Sequence, residues 1–95
     1  MTKAEDFLDW AMEMIGDLLE EGNEWMEKGK YGEAYTRAAE IFLSTRMLFE
    51  AERAGVLSIP KEEANLLKAW RADSVDLTHE SLDEARDRGH SDIFV

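Results

Sequence analysis

Between Gly29 and Gly55 the apolar residues Tyr31, Ala34, Tyr35, Ala38, Ile41, Phe42, Thr45, Leu48 and Phe49 recur at three- and four-residue steps, allowing Thr45 its methyl. That is the period at which side chains line one face of an α-helix. Ala39, Leu43 and Met47 mark a second line about a quarter-turn round the same cylinder. One neighbour cannot cover both lines, so the pattern predicts a central helix over 31–54, buried between two partners. The chain has one helical stretch on either side to supply them.

The first of these starts at Thr2-Lys3-Ala4-Glu5, a capping-box pattern in which the threonine hydroxyl and the glutamate carboxylate satisfy the first free amides. Its inward line runs through Ala4, Phe7, Ala11, Met14, Leu18 and Trp25, flanked by Leu8, Ile15, Leu19, Gly22 and Met26, and Gly29 stops it near residue 28. Gly16 and Gly22 lie inside the helix, where each costs about 1 kcal/mol relative to alanine, which points to close helix approach or a slight bend. After Gly55, Val56 to Ile59 form a connector and Pro60 opens a third helix, with Glu62 and Glu63 at its positive end. The inward line of that helix, Leu67, Trp70, Ser74, Leu77, Ser81 and Ala85, with Leu66, Val75 and Leu82 alongside, runs to about Arg88. Its two serines either let the helix approach closely, the favoured reading, or admit a partner's side chain. Gly89 ends the helix. The tail over 89–95, closing on Ile93-Phe94-Val95, is expected to fold onto the bundle, a homodimer or partner contact being the other option. The expected fold is all-α: one domain over 1–95, an antiparallel three-helix bundle with helices near 3–28, 31–54 and 60–88 and the second helix central.

Composition adds a charge problem to this layout. Twenty-two acids against 11 Lys and Arg give a net charge of −11. A surface so acidic repels phosphate and anionic lipid, so direct nucleic-acid binding and membrane attachment are not expected, and a basic protein surface is the natural partner. The competing reading is that the charge only keeps a small protein soluble. With no cysteine there is no disulfide framework, thiol nucleophile or cysteine zinc site. The first residues lack the apolar run of a signal peptide and no later run is long enough to span a membrane, so a cytoplasmic location is expected.

The acidity is concentrated. Residues 1–28 hold nine acids and two bases, residues 29–55 four of each, and residues 56–95 nine acids and five bases. Asp6, Asp9, Glu13, Asp17, Glu20, Glu24 and Glu27 follow at steps of three or four along the first helix, with no basic residue between Lys3 and Lys28. Ordinary exposed faces place Lys or Arg one turn from an acid, because like pairs cost a few tenths of a kcal/mol each. These seven carboxylates, the candidate partner-binding residues, extend over about 32 Å, spaced by about 4.5 to 6 Å. Phosphates of one DNA strand recur about every 3.4 Å, so the stripe is a loose imitation of a nucleic-acid strand.

The segment Gly22-Asn23-Glu24-Trp25-Met26-Glu27-Lys28-Gly29-Lys30-Tyr31-Gly32-Glu33-Ala34 resembles the middle of a tetratricopeptide repeat, where a small residue, an aromatic, a helix-ending glycine, a tyrosine and an alanine stand at these offsets. Beyond it Ala38 stands where a large aromatic is usual, Ile41 where alanine is usual and Arg46 where proline closes the repeat, and no second copy follows. Over the whole chain the resemblance is to the MIT type of three-helix domain. It implies a tetratricopeptide-like hairpin with a third helix alongside, binding peptides in grooves between helices.

Raw material for catalysis is thin, and no catalytic, metal-ligating or cofactor-binding residue is assigned. Asp76 and His79 sit one turn apart with Glu80 and Asp83 nearby, but a di-iron site needs two such motifs and further glutamates in a four-helix core, so a solvent-facing histidine is the plainer reading. Arg71 to His79 and Arg86 to His90 miss the arginine–histidine spacing of HEPN ribonucleases. Glu21/Glu24 and Glu80/Asp83 lie too far apart for MazG-like pyrophosphatases. There is no phosphate loop or serine-nucleophile motif. The expectation is a non-catalytic, acidic interaction protein that occupies a basic surface of its target, in its sharpest form a phage-type inhibitor such as an anti-CRISPR protein. The alternative is an MIT- or tetratricopeptide-like adaptor sensitive at Trp70 or Ser74, with a metal-dependent enzyme a distant third.

Overall fold

The computed structural model describes residues 3–87. The Thr2 capping box, the Ala4 side chain, Gly89 and the Ile93-Phe94-Val95 tail lie outside the described residues. Three helices, α1 (Lys3–Glu27), α2 (Tyr31–Arg53) and α3 (Lys61–Asp87), account for the architecture, with no strand among the described residues. The four helix ends at the two turns, Glu27, Tyr31, Arg53 and Lys61, fall within a residue of the positions expected from apolar spacing and the stop signals.

Both helix ends that precede a turn close in the same way. Gly29 and Gly55 adopt φ of 74° and 79°, a left-handed conformation that glycine enters without a Cβ clash. At the first, the Lys30 amide donates to the Trp25 carbonyl at 2.9 Å and the Gly29 amide to Met26 at 3.1 Å. At the second, the Val56 amide donates to Ala51 at 2.9 Å and the Gly55 amide to Glu52 at 3.0 Å. These paired bonds satisfy carbonyls that the helix end leaves free. The connector is tied back where the Ile59 amide donates to the Glu52 carboxylate at 3.0 Å. Pro60 stands just before α3, its carbonyl accepting from Ala64 at 2.9 Å.

Short connections make successive helices antiparallel, and α2 packs extensively on both neighbours while α1 and α3 meet over a much shorter stretch. The result is an all-α bundle 48 Å long and about 20 Å across. Its core has two parts. Toward the connector, Leu8, Ala11, Ile15, Ile41, Leu48 and Leu67 are buried with Leu57 and Ile59. Toward the α1–α2 turn, Ala34, Ala38 and Leu77 are buried beneath Trp25 and Met26. A Cβ placed on Gly22 would stand 2.7 Å from the Leu77 side chain and 3.4 Å from the Arg37 Cβ, so this glycine marks the close approach of all three helices. Gly16 does not: a Cβ there would meet only Trp70, at an ordinary 3.6 Å.

The serines of α3 are filled in from within. Ser74 and Ser81 are fully buried, as is Thr45 on α2. Their hydroxyls donate to the carbonyls of Arg71 (2.6 Å), Thr78 (3.0 Å) and Phe42 (2.9 Å), so each buried polar group is satisfied inside its own helix. This is close helix approach, not an opening for a partner.

Two expected faces are corrected. In α1 the buried line is Leu8, Ala11, Ile15 and Gly22, while Phe7 is 49% exposed. The inward direction is rotated from the expected line toward its flank. In α2 the first apolar line is buried or half-buried, but Leu43 and Met47 are exposed, at 55% and 71%. At about 100° per residue, Leu43 and Met47 lie well over a third and about half a turn from Ala38, beyond the reach of helices packed on its two sides. Leu66 and Val75 on α3 are likewise exposed.

Candidate functional site

The seven carboxylates expected to face outward do so. Asp6, Asp9, Glu13, Asp17, Glu20, Glu24 and Glu27 are all exposed. At 3.6 residues per turn they fall within an arc of about 80°, nearly opposite the buried Leu8, Ala11, Ile15 and Gly22. One helix thus separates its apolar and anionic residues on opposite sides, and the ridge continues for the length of α1.

No ion pair links any of the seven to a cation among the described residues. Among the described side chains of α1 the carboxylate so engaged is Glu21, which stands off the ridge toward α2. Its oxygen lies 3.1 Å from Arg37 Nε. The same guanidinium reaches Glu40 at 3.4 Å and Glu33 at 4.0 Å. Among the described residues Arg37 is the α2 cation that reaches an α1 carboxylate, and it does so toward the turn end of the seam, away from the ridge.

Beside the ridge is a groove that pattern reading missed. Between α1 and α2, near the connector, an open cleft of about 640 Å³ has Ala11, Ile15 and Leu48 in its floor. Phe7, Trp10 and Met14 form one wall; Met47 and Val56 help to form the other. Trp10 is 59% exposed and Val56 71%, and the Phe7 and Trp10 rings meet at 5.9 Å between centroids. The available signal was the i, i+3, i+7 spacing of Phe7, Trp10 and Met14, which widens the apolar arc of α1 beyond what one neighbour covers. A smaller depression, lined by Trp10, Glu13, Met14, Asp17, Leu18 and Glu21, joins this groove to the ridge.

A second, smaller groove of about 380 Å³ lies between α2 and α3, lined by residues including Tyr35, Phe42, Leu43, Val75 and His79. The Arg71 guanidinium sits over the Phe42 ring at 4.8 Å. Of the two residues expected to mark an adaptor groove, Trp70 is half-buried near Gly16 and Ser74 is fully buried. Asp76, His79, Glu80 and Asp83 are exposed, and among the described residues no three acidic or histidine side chains gather as a metal site. No helix among the described residues is long and apolar enough to cross a membrane. No protein-family model, no curated protein and no solved structure matches the chain.

Proposed function

We propose that this is a non-catalytic cytoplasmic interaction protein that lays the outer face of α1 against a positively charged surface of a protein partner, without a cofactor. The observation that carries the reading is the unpaired ridge: seven exposed carboxylates with no cation among the described residues to neutralise them. A helix that served only to be solvated would gain from a Lys or Arg one turn from each acid. In its sharpest form the protein is an inhibitor that competes with nucleic acid for a basic site, as an anti-CRISPR protein does.

The test is the salt and charge dependence of binding to the partner recovered by affinity purification. Lysine at Glu13, Asp17, Glu20 and Glu24 is expected to abolish binding while leaving the melting temperature unchanged or higher, because the substitutions relieve like-charge repulsion. Wild-type affinity is expected to fall by about tenfold or more between low and high salt. Affinity indifferent to salt would overturn the reading.

One observation favours a second reading. The apolar α1–α2 groove suits an adaptor of the MIT or tetratricopeptide kind, which seats a peptide between helices. Such a protein would lose its partner on groove substitution and tolerate charge reversal on α1.

A further inference from the structure

Phe7, Trp10, Met47 and Val56 line one groove while leaving about half or more of their surfaces in water. Monomeric proteins seldom leave large apolar side chains so grouped unless something covers them. Charge decides among the occupants. Glu13 and Asp17 border Trp10 and Met14, on the side where the groove opens to the ridge. A second copy of the chain would bring its own ridge, and a net charge of −11, to that rim. An anionic lipid surface would be repelled in the same way. A helix with an apolar face and an adjoining edge of lysines or arginines meets both halves of the surface at once.

The dimensions agree. From Phe7 to Met14 the wall rises about 10.5 Å, two helical turns, over which a docked helix presents side chains at i, i+3 or i+4, and i+7. Met14 and Met47 supply adaptable contact area. Toward the turn, the Arg37–Glu21 pair spans from α2 to α1 farther up the same seam.

We propose that the α1–α2 groove receives a basic amphipathic helix of the protein partner, its apolar face between Trp10 and Met47 and its cationic edge against Glu13 and Asp17. This rests on the proposed function and names the part of the partner that the ridge alone does not specify.

The probe is a fluorescein-labelled synthetic helix of about 18 residues, with leucines at i, i+3, i+4 and i+7 and lysines along one edge, titrated with the full chain by anisotropy. Saturable binding is expected, weakened about tenfold or more by Trp10→Ser with Met47→Ser, by Val56→Ser from the other wall, and by Glu13→Lys with Asp17→Lys. All these positions are exposed, so the variants should retain the wild-type helical melt, which circular dichroism checks. No binding with the chain raised to about 1 mM overturns the inference. Equal binding of a peptide with serine for leucine, indifferent to the groove variants, overturns the groove while leaving the ridge reading intact. Equal binding of a peptide with glutamine for lysine, indifferent to salt, removes the basic edge and the ridge reading with it. A dimer in sedimentation that Trp10→Ser dissociates would assign the groove to a second copy and overturn the proposal.

Discussion

Toward the α1–α2 turn the bundle is built from Gly22, Ala34 and Ala38; toward the connector it is built from Ile15, Ile41, Leu48 and Leu57. The first end is drawn tight. Small residues let the backbones approach until Leu77 almost fills the place of a Gly22 Cβ, and Arg37 then bridges to Glu21 on α1. The second end carries large side chains, and its outer ones cannot all point inward, so Phe7, Trp10 and Met47 form the walls of an open groove. Side-chain volume along the seam therefore decides where the surface is closed and where it can take a partner. Charge does not follow that division: Glu21 is paired with Arg37 across the tight end, but Glu20, Glu24 and Glu27 at the same end are, among the described residues, as free of ion pairs as Glu13 and Asp17 beside the groove.

Breaking the tight end should have the largest effect. Gly22→Val pushes two branched methyls into Leu77 and Arg37, and is expected to cost about 1 to 3 kcal/mol. Thermal unfolding should register this as a fall of at least several degrees, at about 4–8 °C per kcal/mol for a domain of this size. Gly16→Ala sharpens the contrast. Its Cβ would meet Trp70 at ordinary contact distance, so the helix-propensity gain is expected to survive as about 0.5 to 1 kcal/mol of added stability in denaturant unfolding. The smallest effect belongs to Arg37→Gln, which keeps part of the stem and removes the charge. With its partners about half exposed, the loss should be about 1 kcal/mol or less at low salt and should shrink when about 0.5 M salt is added.

Much of this was legible along the chain. Apolar steps of three and four residues, Gly29 and Gly55 as stops, and Pro60 before the third helix placed the four helix ends at the two turns within a residue. These signals act locally, through backbone conformation and hydrogen bonds a few residues apart. The outward direction of the seven α1 carboxylates was also legible, because a run of charges at helical spacing has only the solvent side to occupy once the apolar side is buried. The groove was not. Periodicity gives the width of an apolar arc but not the angle at which a neighbour lands on it. It assigned Phe7 to the interior, passed over Trp10 and buried Leu43 and Met47.

What the amino-acid order determined by itself is the number of helices, the two turns that separate them, and the concentration of acid on the outer side of the first. Only the tertiary structure decided which part of each apolar arc is covered. That depends on the rotation and separation of neighbouring helices, and both are set by side chains from all three meeting at places such as Gly22, where residues distant in the chain must fit one volume.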